Sequence, residues 1–374
     1  ELGLAKAEDY PTIDLQAEVA RQHVSDANGG RGQDTFSTFS IAGSLDYELD
    51  LWGRIARQQE SARARLLDSV FTRQAVRLNV VADVVTTYHN LRAAQRQLEI
   101  ARRTVKSRRE TLELQQARQA AGDIAGLPVQ QARAQLETTR AEIPPLKAEI
   151  RRQRTALAVL VGATPAEITK QIDTSGPGLN AIQMPRGMPS ALPSDMLERR
   201  PDVRAAEATL IAANADVGVA KAQWYPNVNL ASMLGLEALN AGDLVQAGAG
   251  TWSLGGSLLQ PLLYFGRIES SVESAKAARE VATVTYRRTL RTAFQEVDNA
   301  LTALKAANER LNARRRQVKA LQKTLDLAQR RYEGGFTSFI DVLDAQRGLF
   351  DAELALAEAK RDRLIAVATL YKSL

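Results

Sequence analysis

The sequence predicts an α+β chain built twice from one unit, a β-hairpin followed by a long helical hairpin. Three observations carry that reading. A tandem repeat runs through the chain, each unit opens on strands of alternating polarity, and each then enters a long run without Gly or Pro. Residues 2–11 (LGLAKAEDYP) return as residues 217–226 (VGVAKAQWYP), with Pro11 and Pro226 lying 215 residues apart. Residues 40–64 return as 253–277, and there Gly53 and Gly266 lie 213 residues apart. The two-residue difference falls between Leu15 and Ser40, where an insertion costs little if the region is a loop. The first repeat is set at 1–160, a linker at 161–193 and the second repeat at 194–374.

Composition limits the chemistry. With no Cys among 374 residues there is no disulfide framework, and His23 and His89 stand far apart without metal-ligand spacing. The net charge of +6 admits nucleic acid, but Arg residues alternate with Glu and Asp along helices without interleaved aromatics, so nucleic acid is not expected. There is no apolar run of the length a transmembrane helix needs, and no signal peptide is visible within residues 1–374. No nucleophile–base set, metal cluster or phosphate loop can be assembled, so neither catalysis nor a cofactor is expected.

Each repeat opens with strands, expected at about 12–21 and 39–51, then 227–237 and 252–263. Ile13, Leu15, Ala17 and Val19 alternate with Asp14, Gln16 and Glu18. Phe39, Ile41, Leu45, Tyr47, Leu49 and Leu51 alternate with Ser40, Ser44, Asp46, Glu48 and Asp50. A loop rich in Gly and Asp, residues 25–34, separates the two strands. Such alternation suits a membrane β-barrel, with Phe39, Trp52, Trp252, Tyr264 and Phe265 as an interfacial girdle. It suits the half-buried sheet of a soluble protein as well, and by itself favours that sheet. Four strands cannot close a membrane barrel, so a barrel needs several copies.

Helical hairpins are expected at about 54–160 and 267–372. Gly and Pro are missing for 68 residues after Gly53 and 67 after Gly266, and each run would span roughly 100 Å if unbroken. A heptad marks the outgoing helices (Leu91, Leu98, Val105; Val297, Leu304, Leu311, Val318) and the returning ones (Val129, Leu136, Ile150, Leu157; Val342, Leu349, Leu356), which predicts antiparallel coiled-coil pairs. Ala293, Ala300 and Ala307 allow close approach. Pro144 and Pro145 must kink or break the first return helix. The Gly- and Pro-rich linker is expected to pack outside the bundle. A helix at about 194–222 should then have Ser194 as N-cap, or begin at Pro201 with Asp202 in its first turn. The first repeat has no such lead-in, which leads us to expect further sequence before Glu1.

Between the last two helices lies a tip, residues 332–350 (YEGGFTSFIDVLDAQRGLF). Gly334 and Gly335 are expected to end one helix in the αL conformation, and Thr337 or Ser338 to cap the next. Asp341 and Asp344 then fall on one helix face, which reads as a gate; first-turn capping is the alternative use of these carboxylates. Arg102, Arg103, Arg108, Arg109 and Arg314 to Arg316 form a second candidate, a basic docking surface for an acidic partner, or else plain solubilising surface.

Residues 192–202 (LPSDMLERRPD), residues 205–222 (AAEATLIAANADVGVAKA), Tyr225–Pro226, Thr292–Val297 and the tip from Arg331 to Arg347 together resemble the outer-membrane factors of Gram-negative tripartite efflux systems. These are the TolC-like channels, and the sequence most resembles their multidrug-efflux lipoprotein branch. The resemblance covers the whole chain. It departs at Pro144–Pro145, at Gly126-Leu127-Pro128, and in lacking the lipid-bearing Cys and first helix of that branch.

The resemblance implies an α+β membrane protein, a homotrimer whose twelve strands form an outer-membrane β-barrel on an α-helical periplasmic tunnel. It implies a passive exit duct for drug efflux or secretion, with outer-membrane lipid, a periplasmic adaptor and an inner-membrane pump as partners. Asp14, Glu18, Asp46, Glu48 and Asp50 would face the lumen. Ile340, Asp341, Asp344 and Arg347 would form the periplasmic gate, helped by Val342 and Leu343, with Arg331 and Tyr332 latching the hairpin shut. Pro128 and Gln131 match Asp341 and Asp344 in the first repeat, so only the second hairpin is acidic. The competing readings are a periplasmic adaptor, which should carry one hairpin beside lipoyl-like domains, and a soluble coiled-coil scaffold without a pore.

Overall fold

The computed structural model describes residues 1–23, 35–164, 167, 178–182 and 199–374. The loop expected at 25–34, the Ser194 cap and most of the 161–193 linker lie outside the described residues. The chain divides into two units. One comprises residues 1–72 and 201–289, the other 73–200 and 290–374.

The first unit holds four antiparallel strands in the order β1 (Thr12–His23), β2 (Thr35–Glu48), β3 (Asn227–Ala238), β4 (Gly250–Leu259). β1 runs two residues past its expected end. β2 starts earlier than expected and stops at Glu48, leaving Leu49 to Leu51 outside it, and β4 stops before Gln260. The repeat is visible in the register. Thr12 pairs with Asp46, and the equivalent pair 215 and 213 residues on, Asn227 with Leu259, is also formed. Paired residues share a face. Ile13, Leu15, Leu45, Leu230, Leu234, Trp252, Leu254 and Leu258 therefore lie on one side, and Asp14, Gln16, Glu18, Ser44, Asp46, Asn229 and Glu237 on the other.

Among the described residues nothing covers the outer strands of the apolar side: Leu15 is 80 % exposed and Leu254 76 %. A soluble antiparallel sheet buries its apolar face. This sheet leaves that face bare, and its edge strands β1 and β4 are free as well.

Each strand joins a helix at the base of the sheet. α1 (Leu2–Ala7) precedes β1, and α2 (Arg54–Ala120) begins just after β2. There Asp50 accepts hydrogen bonds from the backbone N–H groups of Ile55 and Ala56 at 3.0 and 2.8 Å, neutralising orphan donors of the first turn. α5 (Pro201–Ala222) starts at Pro201 with Asp202 in its first turn. Its Ala-rich face (Ala205, Ala208, Ala212, Ala215, Ala220) is buried, and small side chains let it lie close to α2. A Cβ on Gly218 would come 2.9 Å from Arg57 Cγ. Arg65 pairs with Asp216 at 2.7 Å across the same contact.

The second unit contains the remainder of α2, then α3 (Gly126–Ala141), α4 (Ile143–Leu160), the greater part of α6 (Arg267–Glu333) and α7 (Phe339–Ser373). Of the heptad residues, Leu91, Leu98, Val129, Leu136, Ile150, Leu157, Val297, Leu304, Leu311, Val318 and Val342 are buried, while Val105, Leu349 and Leu356 are half-buried. Ala293 and Ala300 are buried beside that seam. The return helix breaks at Glu142, with its two prolines in the first turn of α4, where no ladder donor is lost. Leu179 of the linker is buried against Ala93, Ala101 and Phe350. Arg200, at the linker's end, donates to Ser373 O at 2.9 Å and to Glu296 at 2.6 Å. No described helix is long and apolar enough to cross a membrane.

Candidate functional site

Both hairpin tips turn in the same way. Gly335 has φ +74°, with Gly335 N donating to Tyr332 O and Phe336 N to Arg331 O. Gly122 has φ +82°, with Gly122 N donating to Gln119 O and Asp123 N to Arg118 O. This is the Schellman closure, which needs one left-handed residue per tip and satisfies the last carbonyls of the helix. Gly334, expected in the same conformation, does not adopt it.

α7 starts after Ser338, whose hydroxyl lies 3.5 Å from Asp341 Oδ2. Thr337 Oγ1 donates to the same carboxylate oxygen. The Asp341 carboxylate thus folds back on the two hydroxyls before the helix, and no side-chain bond caps the first turn of α7. Asp344, one turn on, is 76 % exposed and meets only Arg347 in the ion-pair geometry, at 3.5 Å. Ile340, Asp341, Asp344 and Arg347 form one exposed stripe. Phe339, Val342 and Leu343 lie on the opposite, buried face with Ala132, Leu112 and Leu325. Val342 and Leu343, expected to help close an aperture, belong instead to a core shared by the two hairpins.

Tyr332 is where the two hairpins meet. Its hydroxyl donates to Gln115 Oε1 at 3.1 Å, and Gln115 is 1 % exposed. Its ring packs on Phe339, with centroids 5.3 Å apart, and the Arg118 guanidinium lies 5.4 Å from the ring centre. Gln115, Arg118 and Phe339 were missed in the sequence, since nothing in a period of seven pairs position 332 with position 115. Arg331 is exposed.

On the polar face of the sheet, Asp14, Glu18 and Asp46 are exposed and share one side, as expected. Glu237, opposite Ser40 and in line with Glu18, joins them. Two expectations need correction. Asp50 lies beyond the strand and spends its carboxylate on the start of α2. Glu48 ends β2 half-buried and holds Arg54 through two hydrogen bonds of 2.8 Å. Neither is a free carboxylate on a strand face.

The basic stretch is not one docking surface either. Arg108 is 3 % exposed, donates to Gln135 O at 2.8 Å and to Thr139, and lies over Phe350. Burial pulls its pKa below the ordinary guanidinium value. Arg103 is held by Glu353 at 2.7 and 2.8 Å.

Comparison with known proteins supplies the family. The sequence model described as outer membrane efflux protein matches residues 1–163 and 192–374. The probable efflux pump outer membrane protein TtgC of Pseudomonas putida is 32 % identical over 375 aligned positions, which cover 99 % of this chain and 76 % of that protein. Among solved structures, a membrane protein from Pseudomonas aeruginosa superposes with a TM-score of 0.93 at 30 % identity, over all of this chain and 86 % of the other. The CmeC outer membrane channel of Campylobacter jejuni superposes with a TM-score of 0.91 at 26 % identity, over all of this chain and 79 % of the other.

Proposed function

The chain belongs to the outer membrane efflux protein family, and from that premise we propose that the α6–α7 tip is the periplasmic gate of a passive export duct. The chain is a TolC-like outer-membrane channel protein of the Gram-negative envelope, serving efflux. Its bare apolar sheet face is suited to lipid, and its two free sheet edges call for neighbouring copies. The soluble scaffold and the adaptor are thereby set aside.

The finer parts are our reading. Three copies would put twelve strands into one barrel and repeat the Asp341–Asp344 stripe three times around the periplasmic aperture. An adaptor and an inner-membrane pump would complete the system, and the duct itself would do no chemistry. What is exported would be chosen by the pump; toluene, antibiotics and cations appear in the names of relatives only.

The observation that carries the gate is the split of α7 into two faces. Phe339, Val342 and Leu343 are consumed by packing, while Ile340, Asp341, Asp344 and Arg347 remain exposed. Asp341 lies in the first turn, where it complements the helix dipole, but Asp344 lies beyond it, where the dipole offers little. A threefold ring of such carboxylates would repel itself, attract cations and resist anions. Planar-bilayer recording tests this. The wild-type protein is expected to pass little current, favour cations and be blocked by multivalent cations from the periplasmic side. Changing both Asp341→Ala and Asp344→Ala should lower the selectivity and abolish the block. Wild-type selectivity and block in the double variant would place the constriction elsewhere.

A further inference from the structure

The internal repeat leaves one of two equivalent aromatic sites incomplete within a single chain. Trp52 of the first repeat stacks on Tyr225 of the second, with centroids 4.8 Å apart and planes 18° from parallel. Its indole N–H donates to Pro226 O at 2.8 Å. Trp52 and Phe265 are equivalent, 213 residues apart, and Tyr225–Pro226 is equivalent to Tyr10–Pro11, 215 residues apart. The corresponding contact is not made: Phe265 is 96 % exposed and Tyr10 71 %.

Two further contacts between the repeats are open in the same way. Gly218 of α5 lies against Arg57, whereas its equivalent, Gly3 of α1, has open space where a Cβ would be. β2 pairs with β3, whereas their equivalents β4 and β1 are the free edges.

We propose that Phe265 of one copy stacks on Tyr10–Pro11 of the next, completing the second aromatic site and locking β4 to the neighbour's β1 in one defined register. The inference rests on the homotrimer proposed above. In a closed ring of alternating repeats, each second repeat meets a first repeat just as each first meets a second. The register follows from the observed β2–β3 pairing. Ser44 opposite Met233 maps to Ser257 opposite Glu18 of the neighbour, and Phe39 opposite Ala238 maps to Trp252 opposite His23 of the neighbour. In this register the apolar residues of β4 stay on the same side as those of β1, so the bare apolar face runs on without a break. Phe265 lacks the indole N–H, so its contact is stacking alone.

Because there is no native Cys, paired cysteines report without background. The full chain carrying Ser257→Cys and Glu18→Cys, oxidised in mild detergent, should give covalent dimers and trimers on a denaturing gel. The pair Ser257→Cys with Asp14→Cys, four residues out of register, should not. Phe265→Ala and Tyr10→Ala should each speed trimer dissociation about three- to tenfold, and the double variant should add little to either. Val245→Ala, at an equally bare position, should change nothing. Cross-linking in the Asp14 pair instead overturns the register. Correct cross-links with unchanged dissociation in both aromatic variants overturn the stacking. A single-chain mass with no cross-link in any pair overturns the trimer itself.

Discussion

The hydroxyl of Tyr332 offers the sharpest test of the latch, because Tyr332→Phe removes one atom and leaves the ring where it is. The ring keeps Phe339 at 5.3 Å and Arg118 at 5.4 Å; what disappears is the 3.1 Å bond to Gln115 Oε1. Gln115 is 1 % exposed, so water cannot readily replace the lost donor. A buried acceptor deprived of its partner costs about 1–2 kcal/mol. If three copies open in concert, the closed state loses about 3–6 kcal/mol, or roughly a 10²- to 10⁴-fold shift toward opening. Single-channel recording should show a large rise in open probability with unchanged ion selectivity, since Asp341 and Asp344 are untouched. The same substitution made in a Gln115→Leu background should add little, because the bond is already absent there. An open probability equal to wild type in Tyr332→Phe would refute the latch. So would an equal further rise in the Gln115→Leu background.

Three further outcomes are expected. Gly235→Ala would place a Cβ 2.4 Å from Ile41 O and 2.5 Å from Ala42 Cβ, so it should prise β2 from β3 and lower the yield of the proposed trimer on native gels. Gly255→Ala, whose Cβ meets open space, should leave the assembly intact. Burial of His89 lowers its pKa below the ordinary value, so the unfolded chain binds more protons than the folded one once the pH falls below about 6.5. Stability from His89 is therefore full above that pH and is lost on acidification. Thermal melts at pH 7.5 and 5 should accordingly differ less for His89→Leu than for wild type.

Much was legible in the linear order because it depends on neighbours along the chain. The Gly- and Pro-free runs became α2 and α6, ending at Ala120 and Glu333 beside the expected tips. Most of the heptad residues became the buried seam, Pro201 opened α5, and the prolines at 144 and 145 broke the return helix at Glu142. The spacing put Asp341 and Asp344 on one helix face, and both stand exposed on α7.

Only the tertiary structure decided what each of these residues does with its side chain. Glu48 and Asp50 alternate as well as Asp14 does, yet they sit where α2 begins, so Arg54 and two orphan amides claim them. Arg108 reads like its exposed neighbours, but Thr139 and Phe350 close over it. Alternation could not separate a membrane sheet from a soluble one, because both have one apolar face. The family match separated them, and the exposure of Leu15 and Leu254 suits a lipid-facing side. The reason is common to all three cases. Period and propensity act over a few residues, whereas a partner 217 positions away, as Gln115 is from Tyr332, is chosen by how the helices pack.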